Sequence, residues 1–141
     1  FSIMGTTQSK TYKINYEDMI IVIKKNECII NTLLPDEQDC LIKNTINYKL
    51  EEKFINDNIK NLSRNIIIYG KNSNDETVHK KYTQLIQLGF ANVFIYTGGM
   101  FEWLCLQDIY GSDEFPTTSR ELDILKYKAL SQFSNNELLT N

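Results

Sequence analysis

Histidine and tryptophan occur once each in this 141-residue chain, proline twice, and cysteine three times at wide spacing. These scarcities exclude chemistry before any motif is read. His79 cannot complete a zinc set with Cys28, Cys40 and Cys105 at any usual ligand spacing, and no C-x-x-C pair exists, so no metal or other cofactor is expected. Nor are structural disulfides expected in a reducing compartment. Positive charge is also short: 15 Lys and Arg against 18 Asp and Glu leave a net −3. That balance offers no electrostatic footprint to nucleic acid or to an anionic membrane. No apolar run approaches the roughly 18 residues a spanning helix needs; Ile20 to Ile23 is far too short and is flanked by Asp18 and Lys24. The polar N-terminus, Phe1 to Lys10, lacks a signal-peptide plan, so the expected location is intracellular and cytoplasmic.

What remains is an ordinary globular composition, 42% apolar, at a length suited to one domain with a real core. Residues 1–10 read as a flexible segment, 11–131 as the domain and 132–141 as a flexible tail. Thr11 to Ile14 suits a short strand. Asn15, with Asp18 three residues on, starts a helix over Tyr16 to Lys25, where Met19, Ile20 and Ile23 recur near a 3.6 period. Cys28 to Leu33 reads as the next strand, stopped by Pro35-Asp36. Leu50, Phe54, Ile55 and Ile59 mark a helix with Glu51, Glu52 and Lys53 facing water. The most organised stretch is Asn65 to Trp103: a buried strand at Ile66 to Tyr69, a polar loop, a helix closed by Gly89, a strand at Ala91 to Tyr96, and a Gly98-Gly99 turn into a helix that ends before Gly111. Thr118-Ser119-Arg120-Glu121 has the spacing of a capping box, and Leu122, Leu125, Ala129 and Leu130 then predict a last helix over 118–130. The sum is a three-layer α/β domain, a mostly parallel sheet of about five strands with helices on both faces.

Gly98, Gly99 and Trp103 match the Gly-Gly-Phe-x-x-Trp motif of rhodanese-like domains, and Gly89-Phe90-Ala91-Asn92-Val93 matches that family's Gly-aromatic-x-Asn-Val lead-in. The chain resembles this family over Tyr16 to Phe115, more loosely outside these motifs. The resemblance implies that a central strand ends in a nucleophilic cysteine, cradled by backbone N–H groups at the next helix and assisted by an arginine. It also implies an Asp and an Arg at the end of the Cys28–Leu33 strand, where this chain has Asn31 and Thr32.

The loop expected to carry that chemistry is Gly70-Lys71-Asn72-Ser73-Asn74-Asp75-Glu76-Thr77, with Gly70 in the cysteine's place and no cysteine or arginine anywhere in it. A thiolate is the attacking species in sulfur transfer, so the usual chemistry has no reactive atom here. Ser73-x-x-Glu76 has capping-box spacing, which would engage the helix N–H groups that an anion needs. Among other nucleophiles, Cys28 reads as core and Cys105 as a buried, inert thiol. Cys40, in an irregular polar stretch, reads as the most accessible and is the first alternative. His79 falls on the solvent side of a helix whose buried stripe is Val78, Tyr82, Leu85 and Ile86. Ser73 has no histidine base in its motif. Phe90, Phe94, Tyr96, Phe101 and Trp103 lack the interleaved cations of a base-stacking platform and read as core.

The reading that follows is a catalytically inactive rhodanese-like domain acting as a protein-interaction or regulatory module, with an unidentified protein partner. A sulfurtransferase or phosphatase using Cys40, and a non-catalytic anion or small-molecule receptor, are the alternatives. Phe115-Pro116 is a candidate docking patch.

Overall fold

The structure, a computed structural model, describes residues 12–133; the segments read as flexible ends, 1–10 and most of 132–141, lie outside the described residues. The sheet is built from β1 (Lys13–Ile14), β2 (Cys28–Asn31), β3 (Asn65–Tyr69) and β4 (Asn92–Tyr96). Its order is β1-β4-β3-β2, and every pairing is parallel. β3 is therefore internal and has neighbours on both sides. That explains its unbroken apolar run, because a parallel strand covered on both faces has no polar side to show.

Alternation along β3 divides the core. Ile67 and Tyr69 face a cluster with Met19 and Ile23 of helix α1 (Tyr16–Lys24) and with Met100, Trp103 and Leu104 of helix α4 (Gly99–Tyr110). Ile66 and Ile68 face Val78 and Leu85 of helix α3 (Thr77–Gln87), with Phe54 and Ile55 of helix α2 (Glu51–Asp57) packed alongside. Two helices thus cover each face, and the three layers are complete.

Several expectations hold at the level of single bonds. Asn15 Oδ1 accepts from Asp18 N at 3.0 Å, and Asp18 Oδ2 accepts from Asn15 N at 3.2 Å, a reciprocal cap for α1. Gly89 takes φ +103° and lets Phe90 N reach back to Leu85 O at 3.2 Å, closing α3. Phe90, Tyr96 and Trp103 are buried core.

Others need correction. The sheet has four strands among the described residues, not about five. Beyond β2, the 39–48 stretch makes only isolated bridges, Ile29 with Thr45 and Ile42 with Thr117. Asn44, at φ +72°, turns the chain before a ladder can extend. The α-helix expected over 118–130 is absent; a 3-10 turn at Ile124–Tyr127 replaces it. Its supposed caps are spent elsewhere: Thr118 Oγ1 accepts from Leu41 N at 3.0 Å, and Ser119 Oγ donates to Asp39 O at 2.7 Å. Residues 117–132 form a strap instead, anchored by the fully buried Tyr127, while Leu122, Leu125 and Leu130 remain exposed. Tyr127 falls outside the assumed leucine stripe, so a helical period assigned the wrong anchor. Ile86, placed in the α3 stripe, is exposed, and Glu51 is half-buried against Lys81 rather than solvated.

Candidate functional site

Ligands of open parallel sheets bind outside the carboxyl ends of the strands, and β2 and β3 end together here. Thr32 N donates to Tyr69 O at 3.0 Å, which holds the two strand ends in line. From Tyr69 the chain passes through Gly70 into the loop and then α3. A cleft of ≈ 570 Å³ opens over that loop. Thr32, Leu34, Glu37, Lys71 and Glu76 form part of its lining, and strap residues Lys128 to Leu130 close one side.

The loop holds itself. Asp75 Oδ2 accepts from Lys71 N at 2.9 Å, and Asp75 Oδ1 accepts from Thr77 N at 3.1 Å and from Thr77 Oγ1 at 2.6 Å. The Thr77 hydroxyl also lies 2.8 Å from Thr32 Oγ1, tying the loop to the end of β2. Asn72 Oδ1 accepts from Asn74 N at 2.9 Å, while its Nδ2 donates to Tyr127 O at 2.8 Å, tying the loop to the strap. From beneath, Gly70 O and Lys71 O accept from Met100 N and Phe101 N at 2.9 and 2.8 Å. The helix-capping carboxylate is therefore Asp75 and not Glu76; the Ser73–Glu76 capping box does not form, and Glu76 makes no side-chain cap. An Asp two residues before a helix's first N–H was the sequence signal that identifies it.

Lys71 is the only cation within the loop, and it is already paired: its Nζ lies 2.8 Å from Glu37 Oε2. Glu37 was not legible as a site residue, since it comes from a 3-10 turn 34 positions upstream of Lys71 in the sequence. Asn31, at the end of β2, is buried and satisfied by Gln38 and Leu33 N. Gly70 faces a crowded space. A Cβ there would come 2.4 Å from Asp75 Oδ2, 2.7 Å from Val78 Cγ2 and 2.9 Å from Thr32 Oγ1.

The three thiols do not converge on the cleft. Cys40, expected to be the most accessible, is 2% exposed and donates to Ser119 O at 3.3 Å, because the strap lies over it. Burial raises its pKa above the ordinary thiol value. Burial pushes Cys28 up to about 12. Cys105, expected to be buried, is only partly so and borders a shallow pocket with Asn72, Ser73 and Glu102. Its thiol is also raised, first by burial and then by Asp108 and Glu102. Each shift favours the neutral thiol over the thiolate, the attacking form. With a thiol reagent at mildly alkaline pH, Cys105 is expected to react first and slowly, with Cys40 and Cys28 protected until unfolding. Loss of the early phase in Cys105→Ser checks this; an early phase retained there and lost in Cys40→Ser would reverse the order.

His79 is exposed on α3, as its position in the sequence implies. Phe115, a candidate docking residue, is buried, with its ring 5.1 Å from that of Trp103, and does not form a patch. Among the described residues no group of His, Cys, Asp and Glu could hold a metal ion, and no helix is long and apolar enough to cross a membrane.

The sequence matches the rhodanese-like domain profile over residues 14–105, well over half of the chain. The chain belongs to the rhodanese-like domain family. No curated protein matches it. Among solved structures, this rhodanese-like domain is similar to the BH2092 protein of Bacillus halodurans, with 22% identity, TM-score 0.56, and 91% of this chain and 90% of that one covered. A yeast protein tyrosine phosphatase of the rhodanese family gives 15% identity and TM-score 0.56, covering 82% of this chain and 99% of that one. The Alr3790 protein of Anabaena gives 17% identity and TM-score 0.54, covering 89% and 90%. These likenesses establish the α/β rhodanese-like fold.

Proposed function

We propose that this rhodanese-like domain is catalytically inactive and serves as a protein-interaction or regulatory module. The observation that carries the reading is the space at Gly70. The family's nucleophile would need a Cβ there, and the Asp75 carboxylate, fixed by Lys71 N, stands 2.4 Å from that position. The loop therefore has no reactive atom at the strand end, and a side chain there would have to displace those of Asp75, Val78 and Thr32. Its backbone donors at residues 71 and 77 are engaged by an internal anion, which also weakens the reading as an anion receptor. A relocated nucleophile at Cys40 is disfavoured by burial beneath the strap. The yeast neighbour's phosphatase chemistry does not transfer readily to a loop without cysteine or arginine.

The test is turnover. Purified chain is expected to show no thiosulfate:cyanide sulfur transfer and no hydrolysis of aryl phosphates above the rate of a triple Cys→Ser variant. Activity that disappears in any single Cys→Ser variant would make the domain an enzyme.

A further inference from the structure

The strap holds to the body of the domain in two different ways. Its first part, Pro116 to Ser119, is clamped by a dense set of hydrogen bonds. Pro116 O accepts from Lys43 N and from Trp103 Nε1, each at 3.1 Å. Thr118 N donates to Leu41 O at 2.8 Å, and Gln107 Nε2 donates to Thr117 Oγ1 at 3.0 Å. The side-chain bonds of Thr118 and Ser119 to Leu41 N and Asp39 O complete the clamp. From 120 to 128 the bonding changes. Among the described residues a single hydrogen bond joins this part to the rest of the protein, from Asn72 Nδ2 to Tyr127 O at 2.8 Å. Its other bonds close on itself. Lys126 Nζ pairs with Glu121 at 2.6 Å, Glu121 Oε2 accepts from Asp123 N at 3.0 Å, and Lys126 N and Lys128 N donate to Asp123 O and Leu125 O at 3.3 and 3.1 Å.

Burial follows the same division. Tyr127 is 1% exposed, with Ile124 half-buried beside the same core cluster, whereas Leu122, Leu125 and Leu130 are 78%, 62% and 83% exposed. Packing of this part therefore rests mainly on one ring. A segment with few buried apolar contacts and few bonds to its surroundings opens well below the cost of unfolding the whole domain. Once detached it would also lose its turn, because one short turn does not persist in water without packing.

We propose that residues 120–130 are a latch, anchored by Tyr127, that opens on an otherwise intact domain and forms a movable wall of the loop cleft. Opening carries away Lys128, Ala129 and Leu130, which close one side of that cleft. Asn72 couples the two parts. Its Oδ1 holds Asn74 N inside the loop while its Nδ2 holds the latch at Tyr127 O. By linkage, a partner that fits against the closed wall holds the latch shut, and one that needs the wall's space binds more tightly once it is open. The latch stands on the packing of Tyr127 and not on the loop's lack of a nucleophile. Turnover by the chain would remove the inactive reading and leave the latch in place.

Amide hydrogen exchange on the isotope-labelled chain tests this residue by residue. In the parent, the amides of Lys126 and Lys128 are expected to exchange faster than those of Lys43 and Thr118 in the clamp and of Ile67 in β3. Tyr127→Ala should speed Lys126 and Lys128 about a hundredfold, as loss of a buried ring does, and leave Lys43, Thr118 and Ile67 protected. Tyr127→Phe keeps the ring and should keep the parent's rates. Asn72→Asp retains the acceptor for Asn74 N but removes the donor to Tyr127 O, so Lys126 and Lys128 should speed by about tenfold, with the amides of Lys71 and Thr77 unchanged. Equal acceleration of Lys43, Thr118 and Ile67 in Tyr127→Ala would mean that strap and core unfold together and would overturn the proposal. A Tyr127→Ala chain that fails to fold would overturn it for the same reason. So would unchanged exchange at Lys126 and Lys128, which would show that Tyr127 anchors nothing.

Discussion

Gly99→Ala is expected to destabilise the domain by about 3 kcal/mol, the largest single effect foreseen for a side chain this small. Gly99 opens α4 with φ +67°, a conformation that costs a non-glycine residue roughly 1 to 3 kcal/mol. Space is the second term. A Cβ would lie 2.8 Å from Asn72 N and from Gly70 O and 2.9 Å from Lys71 C, all of them backbone atoms that cannot rotate away. Relief would have to come from lifting the loop off α4, at the expense of the bonds from Met100 N to Gly70 O and from Phe101 N to Lys71 O. Overpacking of this kind costs about 1 to 3 kcal/mol more. Thermal unfolding should fall by roughly 10 °C for a chain of this size. A melt within a degree or two of the parent would mean that the loop and α4 are not packed as described.

Gly70→Cys is the second large effect, and its interest is that restoring the family's residue should not restore chemistry. The new Cβ must displace the Asp75 carboxylate, Val78 Cγ2 and the Thr32 hydroxyl. Val78 is buried and β-branched, so it cannot rotate aside freely. Asp75 is fixed by three hydrogen bonds and can leave only by uncapping α3. A loss of about 1 to 3 kcal/mol follows from overpacking alone, read from denaturant unfolding. Sulfur transfer should stay at background. The introduced thiol would meet a carboxylate instead of an arginine, and the loop's Lys71 is engaged by Glu37. Adding Asp75→Gly removes one of the three close contacts but also uncaps α3, so it should not bring back the parent's stability and should confer no activity. Efficient turnover by Gly70→Cys alone would mean that the site is poised for catalysis and lacks only its sulfur.

Much of this was legible in the sequence because it is local. The unbroken run at Ile66 to Tyr69, the Asn15–Asp18 pair and the position of Gly89 each report on a few neighbouring residues, and each forms as read. The loop's lack of cysteine and arginine is likewise a matter of sequence. What could not be read depends on partners distant in the chain. Thr118 and Ser119 have the spacing to cap a helix, but carbonyl and amide groups at 39–41 bind them instead. That choice replaces a helix with a strap, buries Cys40 and exposes Leu122. Glu37 and Tyr127 reach the loop from opposite ends of the chain, and no spacing rule connects either with Lys71 or Asn72. The cap on α3 is a different kind of miss. Two carboxylates stood side by side at 75 and 76, and capping-box spacing favoured the wrong one. The backbone turn at 72–75 brings Asp75 onto both Lys71 N and Thr77 N, a reach that Glu76 does not have.

The most direct measurement of whether this domain handles sulfur is intact mass after incubation with excess thiosulfate, compared with the same chain treated with sulfite to strip any sulfane sulfur. An inactive rhodanese-like domain with Gly70 at the strand end should show identical masses in both samples, with its three thiols free. A mass gain of one sulfur atom that sulfite or cyanide removes, mapped by digestion to Cys28, Cys40 or Cys105, would contradict the account.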